Sequence, residues 1–203
     1  LGNKGVYFFN RTGQCIKYID AVNKTWLMKF DGLQRLTEAV QPEGNKVVST
    51  WNNKGQLVTA TAKAKPGSGL SDLVTNLTYH ATWNKVSSVQ DPRGNTTSFG
   101  YHATTGLLLT VQRPAVGGFT PQTTFAYTAR GQIDTITEPT GIVVKCNYDA
   151  TTEKLDSVVQ DFGVGRLNLT MSFGYNSRGD VTSVTDRRGN TTSFVVDVLG
   201  RLT

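Results

Sequence analysis

Residues 127–148 read YTARGQIDTITEPTGIVVKCNY. The stretch opens on Tyr127 and closes on Tyr148, 21 residues later. After the first tyrosine comes a polar step ending in Gly131, then the β-branched run Ile133–Thr137. Glu138-Pro139-Thr140-Gly141 puts Pro at the second and Gly at the fourth position of a tight turn. Ile142–Cys146 then leads back to Tyr148. Two Ile/Val/Thr-rich segments of strand length, each punctuated by a Gly-bearing turn, read as an antiparallel hairpin.

The same pattern extends over the rest of the chain. An aromatic followed by a small polar residue recurs at Phe9, Phe30, Trp51, Tyr79, Tyr101, Tyr127, Tyr148 and Tyr175, and Val196 takes the next position. The spacings are 21, 21, 28, 22, 26, 21, 27 and 21. A floor of 21 with occasional additions is a repeat period with loop insertions. Four residues after the anchor stands Gly13, Gly55, Gly131, Gly179 or Gly200, with Gln34 as the departure. Six residues after it stands Leu36, Leu57, Ile133, Val181 or Leu202. From the second turn to the next anchor the count is seven, as from Gly94 to Tyr101 and from Gly189 to Val196.

Turn chemistry is explicit. Asp91-Pro92-Arg93-Gly94 has Asp, Pro and Gly where a type I turn favours them. Pro139 and Gly141 belong to a variant of that turn, and Asp186-Arg187-Arg188-Gly189 to another without the proline. Asn52–Gly55 and Asn176–Gly179 mark the turn that follows the anchor, with an Asx side chain able to bond backbone two residues on. Within the strands, Ile133/Ile136 and Val181/Val184 are three apart, where a regular strand gives two. That spacing implies a bulge or a strand half-buried on both faces. A short helix is the competing reading, and the β-branched content and turn punctuation oppose it.

The chain has 203 residues, 37% hydrophobic and 18% charged, with 21 glycines. No run of about 18 apolar residues is present, so no membrane-spanning helix is expected. The net charge of +6 comes from scattered Lys and Arg, whose longest run is Arg187-Arg188; nucleic acid is not the expected partner. Cys15 and Cys146 lie far apart without neighbouring His or Cys, which argues against a zinc site and a disulfide framework. The first residue is not Met, and the chain is expected to be cut from a longer protein.

Phe30-Asp-Gly-Leu-Gln-Arg-Leu-Thr37, Asp91-Pro-Arg-Gly-Asn-Thr-Thr-Ser98, Asp186-Arg-Arg-Gly-Asn-Thr-Thr-Ser193 and Gly200-Arg-Leu-Thr203 carry a family signature. They closely resemble the RHS or YD repeat of bacterial polymorphic toxins, toxin-complex cocoon proteins and animal teneurins. The resemblance covers almost the whole chain. It implies an all-β fold of tandem antiparallel hairpin repeats forming a curved, twisted ribbon, part of a spiral shell. Residues 1–203 are then one array of about eight repeats with partial units at both ends. The implied function is a non-catalytic wall segment that encloses and helps deliver a C-terminal toxin, secreted or delivered from a bacterial cell. The implied partners are the rest of the shell and the toxin domain. Open sheet edges add a route to self-association. The alternative is a module binding carbohydrate or a cell surface, with Tyr101, Tyr127 and Trp83 exposed.

Shells of this family commonly carry paired Asp residues in a self-cleaving plug. Asp91-Pro92-Arg93-Gly94 matches only the repeat turn, since Asn95-Thr-Thr-Ser follows. No catalytic residue, metal ligand or cofactor is therefore expected. His80 and His102 follow consecutive anchors; a metal or pH-sensing pair is the functional reading, and a turn-capping polar position the structural one. The six Asn-x-Ser/Thr sequons, at Asn10, Asn23, Asn76, Asn95, Asn168 and Asn190, read as by-products of Asn/Thr-rich repeats. Insertions at 63–69, 113–121 and 161–166 fall at one point of the repeat and should project from one rim.

Overall fold

The computed structural model describes residues 4–203, and no helix occurs among them. It contains seventeen strands in two compact units, divided between Ser98 and Phe99. The first unit holds β1 (Val6–Phe9), β2 (Cys15–Ile19), β3 (Thr25–Phe30), β4 (Leu36–Val40), β5 (Lys46–Trp51), β6 (Leu57–Lys63), β7 (Leu73–Tyr79), β8 (Val86–Gln90) and the first half of β9 (Thr96–Tyr101). The second holds β10 (Leu108–Gln112), β11 (Gln122–Tyr127), β12 (Ile133–Thr137), β13 (Val143–Tyr148), β14 (Leu155–Gln160), β15 (Leu169–Tyr175), β16 (Val181–Thr185) and β17 (Thr191–Ser193). In each unit every strand pairs antiparallel with its successor, a plain meander. The expected fold of tandem antiparallel hairpins is what forms, two strands and two turns per repeat.

Register separates two chemistries. Directly paired residues point to the same face, so cross-strand rungs can be read along the pairings. In the first unit Met28, Ala39, Val47, Ala62 and Leu73 make one apolar rung. On the other face Thr50, Thr59, Asn76, Gln90 and Thr96 make a polar one. The second unit repeats the division. Phe125, Ile136 and Val144 share a rung, and Asn147, Ser157, Ser172, Thr185 and Thr191 share one on the opposite face.

The three-residue apolar spacing has a direct cause. The pairing shifts by one residue immediately before Phe9, Phe30, Trp51, Tyr79, Tyr127, Tyr148 and Tyr175. Opposite each lies one extra residue, such as Thr37 between Leu36 and Glu38, or Asp134 between Ile133 and Thr135. This is a β-bulge, and its extra residue resets the alternation. Ile133 and Ile136 therefore both reach the apolar face, against Tyr127 and Phe125.

Neither unit has a conventional core. Among the described residues only Gly106, Ser157 and Val159 are buried, the last two at 8% exposure. Ser157 and Val159 lie on the hydroxyl-bearing face of β14, and the apolar face is half-covered by its own neighbours. A single sheet layer does this, because a sheet buries its apolar face only against a second layer.

The turns close as their sequences require. Gly94 N–H donates to the Asp91 carbonyl at 2.9 Å, and Gly94 has φ +85°. Gln34, where the repeat departs from Gly, takes the same left-handed position at φ +64°. A side chain there costs roughly 1–2 kcal/mol, partly offset by glycine's larger freedom when unfolded. Gln34→Gly is expected to stabilise the chain by about 0.5–1 kcal/mol, and Gly94→Ala to destabilise it by a similar amount. Urea unfolding midpoints of the two variants read these shifts directly.

Candidate functional site

The feature that recurs with every repeat is the aromatic anchor, set by the bulge beside it. Tyr79 donates its hydroxyl to the Leu57 carbonyl at 2.8 Å, and Tyr127 to Leu108 at 2.7 Å. Tyr148 donates to Ile133 at 2.9 Å, and Tyr175 to Leu155 at 2.8 Å. Trp51 does the same with its indole N–H, to Leu36 at 2.9 Å. For four of these acceptors the register identifies the site. Leu36, Leu57, Ile133 and Leu155 face the anchor of the preceding repeat and flank the extra residue of its bulge. The bulge releases a carbonyl from the regular ladder, and the next anchor takes it. These rings are thus joined to the preceding repeat by hydrogen bonds rather than by ring stacking. The ring stack lies elsewhere: Tyr7 and Tyr18 at 4.5 Å between centroids, and Tyr18 and Trp26 at 5.2 Å, on successive strands β1 to β3.

The residue after each anchor caps its turn. Asp31 Oδ1 accepts the N–H groups of Leu33 and Arg35, at 2.9 and 3.0 Å, and Asp31 Oδ2 takes the Arg35 Nε–H at 2.7 Å. Asn10, Asn52, Asn176 and Asp197 accept equivalent pairs. His80 fills the role with Nδ1, 3.3 Å from the N–H groups of both Thr82 and Trp83. His102 Nδ1 lies 3.4 and 3.3 Å from the N–H groups of Thr104 and Thr105. The turn-capping reading of both histidines describes their geometry, and no cluster of three metal-ligating side chains exists among the described residues.

A further set of contacts ties turn to turn and was not apparent from the sequence. Five residues after the anchor, Gln14 Nε2 reaches the Gln34 carbonyl at 2.8 Å, and Arg35 Nη1 the Asn52 carbonyl at 2.8 Å. Gln56 reaches Asn84 at 3.3 Å, and Gln132 reaches Glu153 at 2.9 Å. The signal was the recurrence of a long polar donor at that position. Arg35 also lies over the Trp51 ring, 5.8 Å from its centroid.

The opposite rim is built differently. Asp91 and Asp186 each accept two backbone N–H groups and the side-chain amide of Asn95 or Asn190, all within the turn. Two sequon asparagines are therefore parts of turns. Pro92 and Pro139 sit where each turn needs a fixed φ, and Gly141 and Gly189 at its left-handed close, φ +82° and +84°. The insertions lie on this rim in each unit. Residues 161–168 are cross-braced by Asp161 and Asn168, with Asn168 Oδ1 accepting the Gly163 N–H at 2.9 Å. Cys15 and Cys146 are free and half-buried, and burial pushes the Cys146 thiol up.

The family model of the teneurin YD-shell matches residues 2–194. The chain belongs to the teneurin YD-shell family. Among solved structures, a crystal structure of TcdB2-TccC3-Cdc42 is similar at TM-score 0.78 and 14% identity, over 98% of this chain and 11% of that one. A Tc holotoxin pore from Photorhabdus luminescens gives the same score, identity and coverage. At such identity the likeness establishes the fold, and the YD-shell chain spans only 11% of the length of these neighbours. No curated protein sequence matches. Family and fold together support a structural role in a shell.

Three tests follow from this geometry. Hydrogen bonds hold the carboxyls below the usual carboxylate range: side-chain donors first and backbone N–H groups next at Asp31, Asp91 and Asp186, and backbone N–H groups first at Asp149 and Asp197, where the Thr152 hydroxyl and the Arg201 guanidinium add to them. A lowered folded pKa adds stability above the unfolded value, near pH 4, and that stability is lost as pH falls through the folded value. The melting temperature should therefore fall from about pH 4 downward, and fall less steeply in Asp31→Asn/Asp186→Asn. Separately, Tyr148→Phe removes one inter-repeat bond and should cost about 1 kcal/mol in chemical denaturation. His102→Asn should hold its stability, while His102→Ala should lose a similar amount.

Proposed function

We propose that the chain is a wall segment of a larger YD-shell that encloses a polypeptide toxin and takes part in its delivery from a bacterial cell. The observation that carries this reading is the single-layer sheet, whose repeats are bonded to one another along one rim while both faces stay half-exposed. Such an array supplies a wall extended by repetition, with each unit stabilised by its neighbours. Titratable groups are distributed among turns as caps and ion pairs, which suits a scaffold. The Tc toxin neighbours lend support at the level of fold. A carbohydrate- or surface-binding module would want Tyr101, Tyr127 and Trp83 exposed. All three are half-buried, and the Tyr127 hydroxyl is engaged by Leu108, which favours the wall.

Protease protection tests the reading on the whole shell protein with its cargo. The cargo should survive digestion inside the intact shell and be degraded when Tyr127, Tyr148 and Tyr175 are all replaced by Asp. Cargo cleaved as fast inside the unaltered shell as when free would refute the containment role.

A further inference from the structure

Six Asn-x-Ser/Thr sequons run through the chain, and the structure separates them. Five of the asparagine amides are already donors. Asn10 Nδ2 donates to Gln14 Oε1 at 2.8 Å, and Asn76 Nδ2 to Gln90 Oε1 at 3.1 Å. Asn95 and Asn190 donate to Asp91 and Asp186, at 2.9 and 3.0 Å. Asn168 Nδ2 reaches two carbonyls, Gly163 at 2.9 Å and Arg166 at 3.1 Å. Each of these amides closes a turn, braces a loop or completes a polar rung. Giving up such a bond costs about 1 kcal/mol.

Asn23 is the sixth. It is exposed, on the turn between β2 and β3. The turn closes without its side chain. Asp20 Oδ1 accepts the Val22 and Lys24 N–H groups at 3.0 and 2.8 Å, and the Asn23 N–H meets the Asp20 carbonyl at 3.0 Å. The Asn23 carboxamide makes no hydrogen bond among the described residues. Val22 beside it is 70% exposed, so the approach is open. Two residues on, the Thr25 hydroxyl also makes no hydrogen bond among the described residues. The hydroxyls of Thr12, Thr78 and Thr170, in the sequons of Asn10, Asn76 and Asn168, are engaged. Among the described residues, the Asn23 sequon is thus the one whose amide and hydroxyl are both free.

The backbone does not account for the carboxamide. Asn23 has φ +63°, where the equivalent turns place Gly44 and Gly94 at +83° and +85°. A left-handed position calls for a tolerant residue, and glycine serves it with less strain. An amide and a hydroxyl two residues apart, both unused by the fold, are the two groups that an enzyme reading Asn-x-Thr must hold.

We propose that Asn23 is an N-glycosylation site, the acceptor for a sugar activated at C1 as a pyrophosphate ester. Nδ2 forms a bond to C1 while the bond from C1 to the pyrophosphate oxygen breaks. The pyrophosphate leaves with the electron pair, and one Nδ2 proton passes to a base of the transferring enzyme. The second N–H remains, and no strand pairing is disturbed. The assignment does not depend on what the shell encloses.

Glycopeptide mass spectrometry of the full chain tests the proposal in two arms. In the first, the folded protein is incubated with UDP-glucose and a soluble glucosyltransferase that reads Asn-x-Ser/Thr. One hexose per chain should appear on Asn23, at least tenfold faster than on any other sequon. Asn23→Gly should lose the label and keep a urea midpoint no lower than the parent's, because glycine suits that backbone. Thr25→Val should lose the label, and Thr25→Ser should keep it. In the second arm, the protein purified from the cells that make it should carry a sugar on the Asn23 peptide. A single hexose there identifies a nucleotide-linked donor, and a larger block a polyprenyl-linked one. Equal labelling of all six sequons, labelling that survives Asn23→Gly, or an unmodified Asn23 in protein from its own cells would overturn the site.

Discussion

The bond from an anchor side chain to the carbonyl released by its neighbour's bulge sets the geometry of the array. A bulge alone leaves a backbone acceptor unpaired, which is costly when half-buried. An aromatic hydroxyl arriving from the next repeat satisfies it only if the repeats keep a fixed offset. That offset fixes which rung each following strand occupies, and hence which side chains reach the apolar face. Trp51 shows that a ring N–H serves as well as a phenol, so the requirement is for a donor at the far end of a large ring. Phe9 and Phe30 have no such donor, and the first unit compensates near them with the Tyr7–Tyr18–Trp26 stack and the Arg35 bridge to Asn52.

The same constraint explains where the sequence varies. On the anchor rim, the donors five residues after the anchor link one turn to the next, so a change in turn length must be absorbed by two repeats at once. His80 and His102 head slightly longer turns and keep the cap by presenting Nδ1 to two N–H groups. On the opposite rim the caps of Asp91 and Asp186 are closed within their own turns. The side-chain tie between neighbouring turns there is the exposed Lys24–Glu43 pair at 2.8 Å, which is worth little, so a loop on that rim can grow at small cost, and all three insertions are found there. Loop length costs little in closure entropy, so contacts between turns set the tolerance rather than the length itself.

Much of this was legible in the sequence because repetition amplifies weak local signals. One Asp-Pro-x-Gly or one Tyr followed by Asn decides nothing, whereas eight in register give strands, turns and topology. Even the irregular spacing of Ile133 and Ile136 carried the bulge. What stayed hidden depends on pairings that the chain order does not display. Which carbonyl the bulge frees, and therefore what Tyr148 bonds, follows only once Ile133 is opposite Tyr127. The role of Gln14 or Gln132 required knowing that successive turns lie side by side. The apolar rung of the first unit was invisible because Ala39 and Ala62 are 23 residues apart and align only through Val47.

A sheet with hydroxyls on one face and aliphatic and aromatic groups on the other has unequal reasons to meet water. The rung of Asn147, Ser157, Ser172, Thr185 and Thr191 is in part self-satisfied, with the buried Ser157 taking the Asn147 amide and Thr185 bonded to Thr191, and its exposed hydroxyls can be hydrated without penalty. The apolar face cannot, since its side chains leave water only when something lies on them. The anchors answer part of that demand by lying over their neighbours, which is why Tyr79, Tyr127, Tyr148 and Tyr175 are half-buried although no second layer within their own unit covers them. The remainder is what a wall can offer to contents. The hydrogen-bonded rim keeps the repeats in register, so the apolar face stays a continuous surface instead of collapsing into separate hairpin cores, and its half-exposure follows from the same bonds that hold the wall together.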